Sequence, residues 1–524
     1  MQNAGRQSFI SGAAVLVIAN FAVKLMGALF KIPLQNLIGA EGIGIFSVAY
    51  NLYSALFVLA TAGLPIAVSK MVSEATALGR PYESVLIVRR AILIFVTIGG
   101  VCSCILFFKS DTLVNSIGNM MAYYAVKAIA PSVFFVSVSA VFRGYYQGLM
   151  NMNPTAVSQL IEALFKLFLG YGLALFAAQH GMSLPYIAAF AISGVTAGTM
   201  FSSLYLCVKY RKSVKKIKKT VRREKPAGNI AANLVLTAVP VAIGASVLSL
   251  TNLIDMALVL NRLQDTGFSL EKSNYLFGAY NMSVTLFNLP QTIITAISIS
   301  IIPAIAAAYA KKDTALGDRT IMTATKLMSL IAFPCAAGMF VLAEPILRCL
   351  YFKRPDDVLV AAPLLKILSL AIFFVAAVSF TNAVLQSLGK ANVPVITMFV
   401  GGLIKLFLNF KLVGIPECHI FGAPIGTFFC YGAIALLNTI FIIRYTGFCP
   451  NILNTFLKPL AAASVMAGLL SILADRTIHR FGNLMGLGVL FLVAITVYFA
   501  IIMAVKTLDS NDYSFLPFCK RKYR

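Results

Sequence analysis

Five lysines stand inside long apolar runs: Lys24, Lys127, Lys166, Lys366 and Lys405. An ammonium at the centre of a lipid bilayer costs about 2.5 kcal/mol or more. Each of these lysines must therefore reach an interface, a partner or an anion. Lys127 and Lys366 lie about two turns from the ends of their runs and can snorkel outward. Lys166 and Lys405 lie deeper. Lys24 is deep in the first run, with Lys31 near its far end. Acids are scarcer: Glu162, Asp255, and Glu74, which has Lys70 beside it. Glu162 precedes Lys166 by four residues, one turn on the same helical face, which predicts an internal ion pair between them. At the matching depth Lys405 has Gly401 and no local acid, so it looks to a cavity or to a partner on another helix. Lys24 and Asp255 could face each other across a central cleft; the alternative is that each is satisfied within its own half.

With basic groups outnumbering acids in the runs, such a cleft suits an anion, phosphate or pyrophosphate, better than a cation. The pairs Tyr50/Asn51 and Tyr280/Asn281, with Asn252 and Asn288, offer hydrogen-bonding groups for sugar hydroxyls, although these residue types also serve packing between helices. The candidate substrate-binding set is therefore Lys24, Lys31, Tyr50, Asn51, Asn252, Asp255, Tyr280, Asn281, Asn288 and Lys405. The nine cysteines are scattered without ligand spacing, and the three histidines fall in predicted outer loops. No metal motif, nucleophile–base pair or glycine-rich phosphate loop appears. The expectation is a protein that is not an enzyme and needs no cofactor or metal.

The elements that position these residues follow from composition. Of 524 residues 59% are hydrophobic and only 12% charged, far from the balance of a soluble domain. The apolar runs are about 20 residues long and solid rather than alternating, the pattern of membrane helices and not of a β-barrel. About fourteen such helices are predicted. The formal charge of +25 does not point to nucleic acid, because the lysines and arginines concentrate on one side if both termini are cytoplasmic. That asymmetry predicts an N-in, C-in multi-pass protein. The run KYRKSVKKIKKTVRREK (209–225) is its largest part and suits anionic lipid headgroups. The first run is long, carries Lys24 and lacks a small-residue cleavage site, unlike a signal peptide.

A shift of 239 residues aligns 127–169 with 366–408 and matches twelve of 43 positions, among them KLFL at 166–169 and 405–408. A shift of 230 brings Ala49–Tyr50–Asn51 onto Ala279–Tyr280–Asn281. Helices 1–6 thus correspond to helices 7–12, and an even helix count per unit makes the repeats parallel. The predicted organisation is an all-α polytopic membrane protein. It has an N-terminal lobe (1–208), a basic cytoplasmic linker (209–228), a C-terminal lobe (229–446), helices 13 and 14 (447–508) and a basic cytoplasmic tail (509–524). Two similar bundles favour a transporter.

The stretch FRGYYQGLMNMNPTAVSQLIEALFK (142–166) resembles a segment of the stage V sporulation protein B family, within the multidrug/oligosaccharidyl-lipid/polysaccharide exporter superfamily. GLPIAVSKMVSEATALGR (63–80) is similar to a second signature of that family. The resemblance implies two six-helix lobes in a V, alternating access, and movement of an undecaprenyl-pyrophosphate-linked cell-wall or polysaccharide precursor across the bacterial cytoplasmic membrane in sporulation. It also implies that Lys24 and Lys31 stand where related lipid II flippases carry basic residues in helix 1. Helices 13 and 14 would then form a groove for the lipid tail. Tyr50, Asn51 and Tyr53 stand where those flippases place an arginine. The other readings are a cation-coupled multidrug exporter of the same fold, which the scarcity of deep acids disfavours, and a non-transporting scaffold that recruits cell-wall synthesis enzymes.

Overall fold

The computed structural model describes residues 9–61, 63–220, 229–310, 314–447 and 452–505. Every regular element among them is helical, since a helix satisfies its own backbone groups without water. The chain packs as two units, Met1–Gly278 and Ala279–Arg524.

In the first unit, α1 (Phe9–Thr61) is two helices joined at Gly39, whose φ of 69° suits glycine. Unbroken, 53 residues would run about 80 Å at ~1.5 Å per residue, far more than a bilayer core of about 30 Å. Next come α2 (Leu64–Ala77), α3 (Pro81–Phe108), the short α4 (Ser110–Ile117), α5 (Tyr123–Gly148) and α6 (Asn153–Phe165). The KLFLG segment Lys166–Gly170 winds as a π-helix and leads into α7 (Tyr171–Gln179) and α8 (Leu184–Thr220). A Gly-x-x-x-Gly pair on α8 lets backbones meet. Gly194 lies against the backbone of Gly170, and a Cβ at Gly198 would lie 2.7 Å from the Glu162 carbonyl oxygen.

Helix α9 (Ile230–Asp265) and the start of α10 (Leu270–Ala310) complete this unit. Near its start α9 packs Ile230, Leu234 and Ala238 with Leu64 and Val68 of α2 and Val88 of α3. Near its end the contacts are polar. Asn119 and Asn274, both fully buried, exchange amide hydrogen bonds. Gln264 donates to the Gly118 carbonyl at 2.6 Å and Asn261 to that of Ser116 at 3.2 Å.

The second unit holds the rest of α10, then α11 (Thr314–Val341), α12 (Ala343–Leu350), α13 (Pro355–Ser387), α14 (Asn392–Val413), α15 (Gly422–Thr446) and α16 (Lys458–Ala504). A π turn, Leu453–Leu457, precedes α16, which bends at Gly482 (φ 74°). Helices α10, α11, α12 and α16 line an open apolar cavity of about 780 Å³, with Leu289, Pro334, Gly338, Met466, Leu487 and Tyr498 among its walls.

Ten helices among the described residues are long and apolar enough to cross a membrane. The sequence count of fourteen takes each limb of the two kinked helices separately and adds α9 and α10. Two helix ends 239 residues apart carry the same turn. Helix α5 ends with Met150 N–H donating to Gln147 O (2.9 Å) and Asn151 N–H to Tyr146 O (2.9 Å). Helix α13 ends with Gly389 N–H to Gln386 O (3.0 Å) and Lys390 N–H to Leu385 O (2.9 Å), each partner 239 residues on. The left-handed residue of this turn is Gly389 (φ 74°) in one copy and Met150 (φ 56°) in the other.

Candidate functional site

Arg143, near the end of α5, reaches residues on α6 and α8. Its Nε donates to Ser158 Oγ at 3.0 Å. One terminal nitrogen donates to Glu162 Oε2 at 3.1 Å and to Ser202 Oγ at 3.2 Å. Ser158 itself donates to the Thr155 carbonyl at 2.7 Å. Both serines are fully buried, and the two charged side chains are only 12% and 25% exposed. A largely desolvated pair is tolerated when further hydrogen bonds satisfy it, as here. This corrects the ion pair expected between Glu162 and Lys166. The carboxylate goes to Arg143, whose planar fork matches it better than a single ammonium does.

Lys166 instead lays its ammonium over aromatic faces, 4.4 Å from the Tyr50 centroid and 5.3 Å from that of Phe30. Tyr50 is held from both sides along α1. It stacks on Phe46 (5.9 Å, 13°) and meets Tyr53 at 6.0 Å. Among the described residues no carboxylate lies within ion-pair distance of Lys166. Lys31, half-buried on α1, is near enough for the two ammonium charges to oppose each other. Among the described residues neither lysine makes an ion pair, and two neighbouring cations of this kind suit an anion. The π-helical segment begins at Lys166 itself, and such segments recur at functional sites.

The other expected site residues of this unit stand apart. Lys24 is exposed and makes no ion pair among the described residues, whereas Asp255 is buried at 6% exposure and engaged by neighbouring groups. Lys24 and Asp255 make no ion pair with each other among the described residues. Asn51 donates to the Met256 sulfur at 3.3 Å, and Asn252 is exposed.

In the second unit the Tyr280 hydroxyl lies 3.4 Å from Thr427 Oγ1. Asn281 and Lys405 are half-buried and engaged by neighbouring groups, and Asn288 is exposed on α10. The shift of 239 places Asn382 on Arg143, Thr397 on Ser158 and Gly401 on Glu162. The same junction recurs there without charge. Thr397 donates to Asn438 Oδ1 at 2.7 Å, and Asn438 donates to Asn382 Oδ1 at 2.8 Å and to Thr381 Oγ1 at 3.0 Å.

Sequence reasoning missed Arg143, and also Lys326, buried in α11 and engaged by its neighbours. Both sit inside apolar runs and were open to the depth argument used for the five lysines. Among the described residues no group of three His, Cys, Asp or Glu side chains could hold a metal ion.

Comparison with known proteins gives this geometry a setting. Residues 9–309 match the family described as "Polysaccharide biosynthesis protein". The chain belongs to that family. Residues 240–410 also match the MatE family. Stage V sporulation protein B of Bacillus subtilis (strain 168) is 27% identical over 428 residues, 80% of either chain. Lipid II flippase MurJ of the same organism is 23% identical, over 85% of this chain and 84% of its own. A solved structure titled "Lipid II flippase MurJ, inward closed conformation" shares the fold at TM-score 0.64 and 16% identity, covering 93% of this chain and 98% of that one. The chain is an integral multi-pass membrane protein of the flippase and transporter class, and among its relatives MurJ is named a lipid II flippase.

Proposed function

We propose that this protein carries a polyprenyl-pyrophosphate-linked saccharide, a cell-wall or polysaccharide precursor, from the inner to the outer leaflet by alternating access. The observation that carries the reading is the pair Lys31 and Lys166. It sets two cations in an apolar unit, one of them seated on Tyr50, with no carboxylate to neutralise Lys166 among the described residues. A pyrophosphate is the anionic group such a pair suits. The apolar cavity of about 780 Å³ lined by α10, α11, α12 and α16 suits a polyprenyl chain. It supports assigning the 447–508 region to the lipid tail. Membership of the family and the likeness to lipid II flippase MurJ point the same way.

In this reading both termini and the basic linker face the cytoplasm, where the linker's lysines and arginines meet anionic headgroups. A cation-coupled drug exporter is disfavoured because Glu162, one of the few deep carboxylates, is committed to Arg143. The test is native mass spectrometry of the purified protein with two matched lipids, a polyprenyl pyrophosphate disaccharide and the same disaccharide on an uncharged polyprenyl ether. Retention of the pyrophosphate at least tenfold over the ether supports the reading. Equal retention sinks it.

A further inference from the structure

We infer that Arg143 is a positioning residue whose task is to hold Glu162 away from Lys166, so that Lys166 stays available to an anion. The inference rests on the proposed headgroup site. It adds the residue that keeps that site charged.

Two cations compete for Glu162. Glu162 and Lys166 are one turn apart, at the spacing where carboxylate and ammonium pair on a helix. Left to themselves they would neutralise each other, and the cation over Tyr50 would be lost as an anion site. The structure resolves the competition against that pair. Glu162 Oε2 lies 3.1 Å from the Arg143 guanidinium, while the Lys166 ammonium lies over the Tyr50 ring, 4.4 Å from its centre. Arg143 is held for this by Ser158 and Ser202, both buried, at 3.0 and 3.2 Å. The crossing of α6 and α8 at Gly198 brings the segment of Glu162 close to α8, where Ser202 lies one turn on.

The second half of the chain supplies an internal control. Lys405 is the repeat mate of Lys166, and there the mate of Glu162 is Gly401. With no acid to restrain, the arginine is also absent. Asn382 takes its place, and the junction is a neutral network of Asn382, Thr397 and Asn438. Acid and base are present together in one copy and absent together in the other. The three-helix junction itself does not require an arginine, since Asn382 serves in the repeat. What distinguishes the first copy is the carboxylate beside the lysine.

The test uses four full-length forms in detergent: wild type, Arg143→Gln, Arg143→Lys and the double variant Arg143→Gln/Glu162→Gln. Two readouts are taken. One is the rate of Lys166 acylation by a small activated ester, which loses its alcohol as the amide forms, followed by peptide mass spectrometry; it needs no ligand. The other is the binding of farnesyl pyrophosphate by calorimetry. Thermal unfolding checks each form. In Arg143→Gln the freed Glu162 pairs with Lys166. Acylation is expected to slow at least threefold and binding to weaken about tenfold. The double variant restores both to within threefold of wild type, and Arg143→Lys, which keeps Glu162 engaged, resembles wild type. An Arg143→Gln protein that acylates and binds like wild type overturns the inference. So does a loss, including a loss of folding, that the double variant does not restore, for then Arg143 is only structural. If acylation follows the expected pattern while wild type binds no farnesyl pyrophosphate, the positioning role stands and the proposed substrate falls.

Discussion

The Lys166 ammonium lies 4.4 Å from the centre of the Tyr50 ring, on the face the ring's quadrupole makes negative. The ring holds the charge in place without neutralising it, as a carboxylate would. A cation–π contact is worth about 0.5–2 kcal/mol, depending on its exposure. Tyr50→Leu is expected to weaken pyrophosphate binding several-fold, and Tyr50→Phe, which keeps the face, to stay within about twofold. Calorimetry with farnesyl pyrophosphate compares the two. Equal weakening by both would assign the effect to the hydroxyl instead.

The helix ends at Met150 and Gly389 carry the same turn with unequal strain. A left-handed backbone costs a residue with a side chain about 1–2 kcal/mol, and glycine escapes that cost. Met150→Gly should therefore stabilise the protein, by about 1 kcal/mol or less after the larger entropy of a glycine in the unfolded chain. Gly389→Ala should destabilise it by about the same. Thermal unfolding in detergent reads both. A fall in stability for Met150→Gly would mean that the methionine side chain contributes more packing than its backbone costs.

Asn119 and Asn274 are buried and satisfy each other. Removing one amide leaves the other without its partner, which costs about 1–3 kcal/mol. Asn119→Leu and Asn274→Leu should each destabilise, and the double variant should cost less than the sum of the two. Additive losses would show that the amides are not coupled.

Gly338 lines the apolar cavity, and the nearest atom to a Cβ placed there is the Met466 Cε, at 3.9 Å. A side chain at that position enters open space. Gly338→Phe should fold normally, bind farnesyl pyrophosphate as wild type does, and slow transport of a long polyprenyl substrate about fivefold or more. Unchanged transport of the long chain, measured in proteoliposomes, would remove the cavity from the account.

Much of the fold was legible because lipid leaves few choices. Solid apolar runs become helices, and the duplication that repeats KLFL at 166–169 and 405–408 also repeats the hydrogen-bonded turn after Gln147 and Gln386. The joins were harder. Gly39 and Gly482 connect helices without a loop, so composition alone marks no boundary there. The site was legible only in part. Depth singled out Lys166, and helical spacing offered it Glu162, but spacing along one helix says nothing about a competitor on another. Arg143 is nineteen residues before Glu162, across the turn between α5 and α6. Its claim on the carboxylate depends on two serines that only packing brings to it. Tyr50 and Asn51 were singled out together, yet only the tyrosine meets a lysine.

In the proposed function Lys31 and Lys166 carry the charge that meets the headgroup. The most direct measurement is leaflet-specific translocation of a fluorescent polyprenyl pyrophosphate disaccharide in proteoliposomes, comparing wild type with Lys31→Met/Lys166→Met at equal reconstituted amounts. The expected result is translocation by wild type and a loss of at least tenfold in the double variant, with unfolding temperature unchanged. Translocation by the double variant at the wild-type rate would contradict the account, as would a wild type that moves none of the lipid.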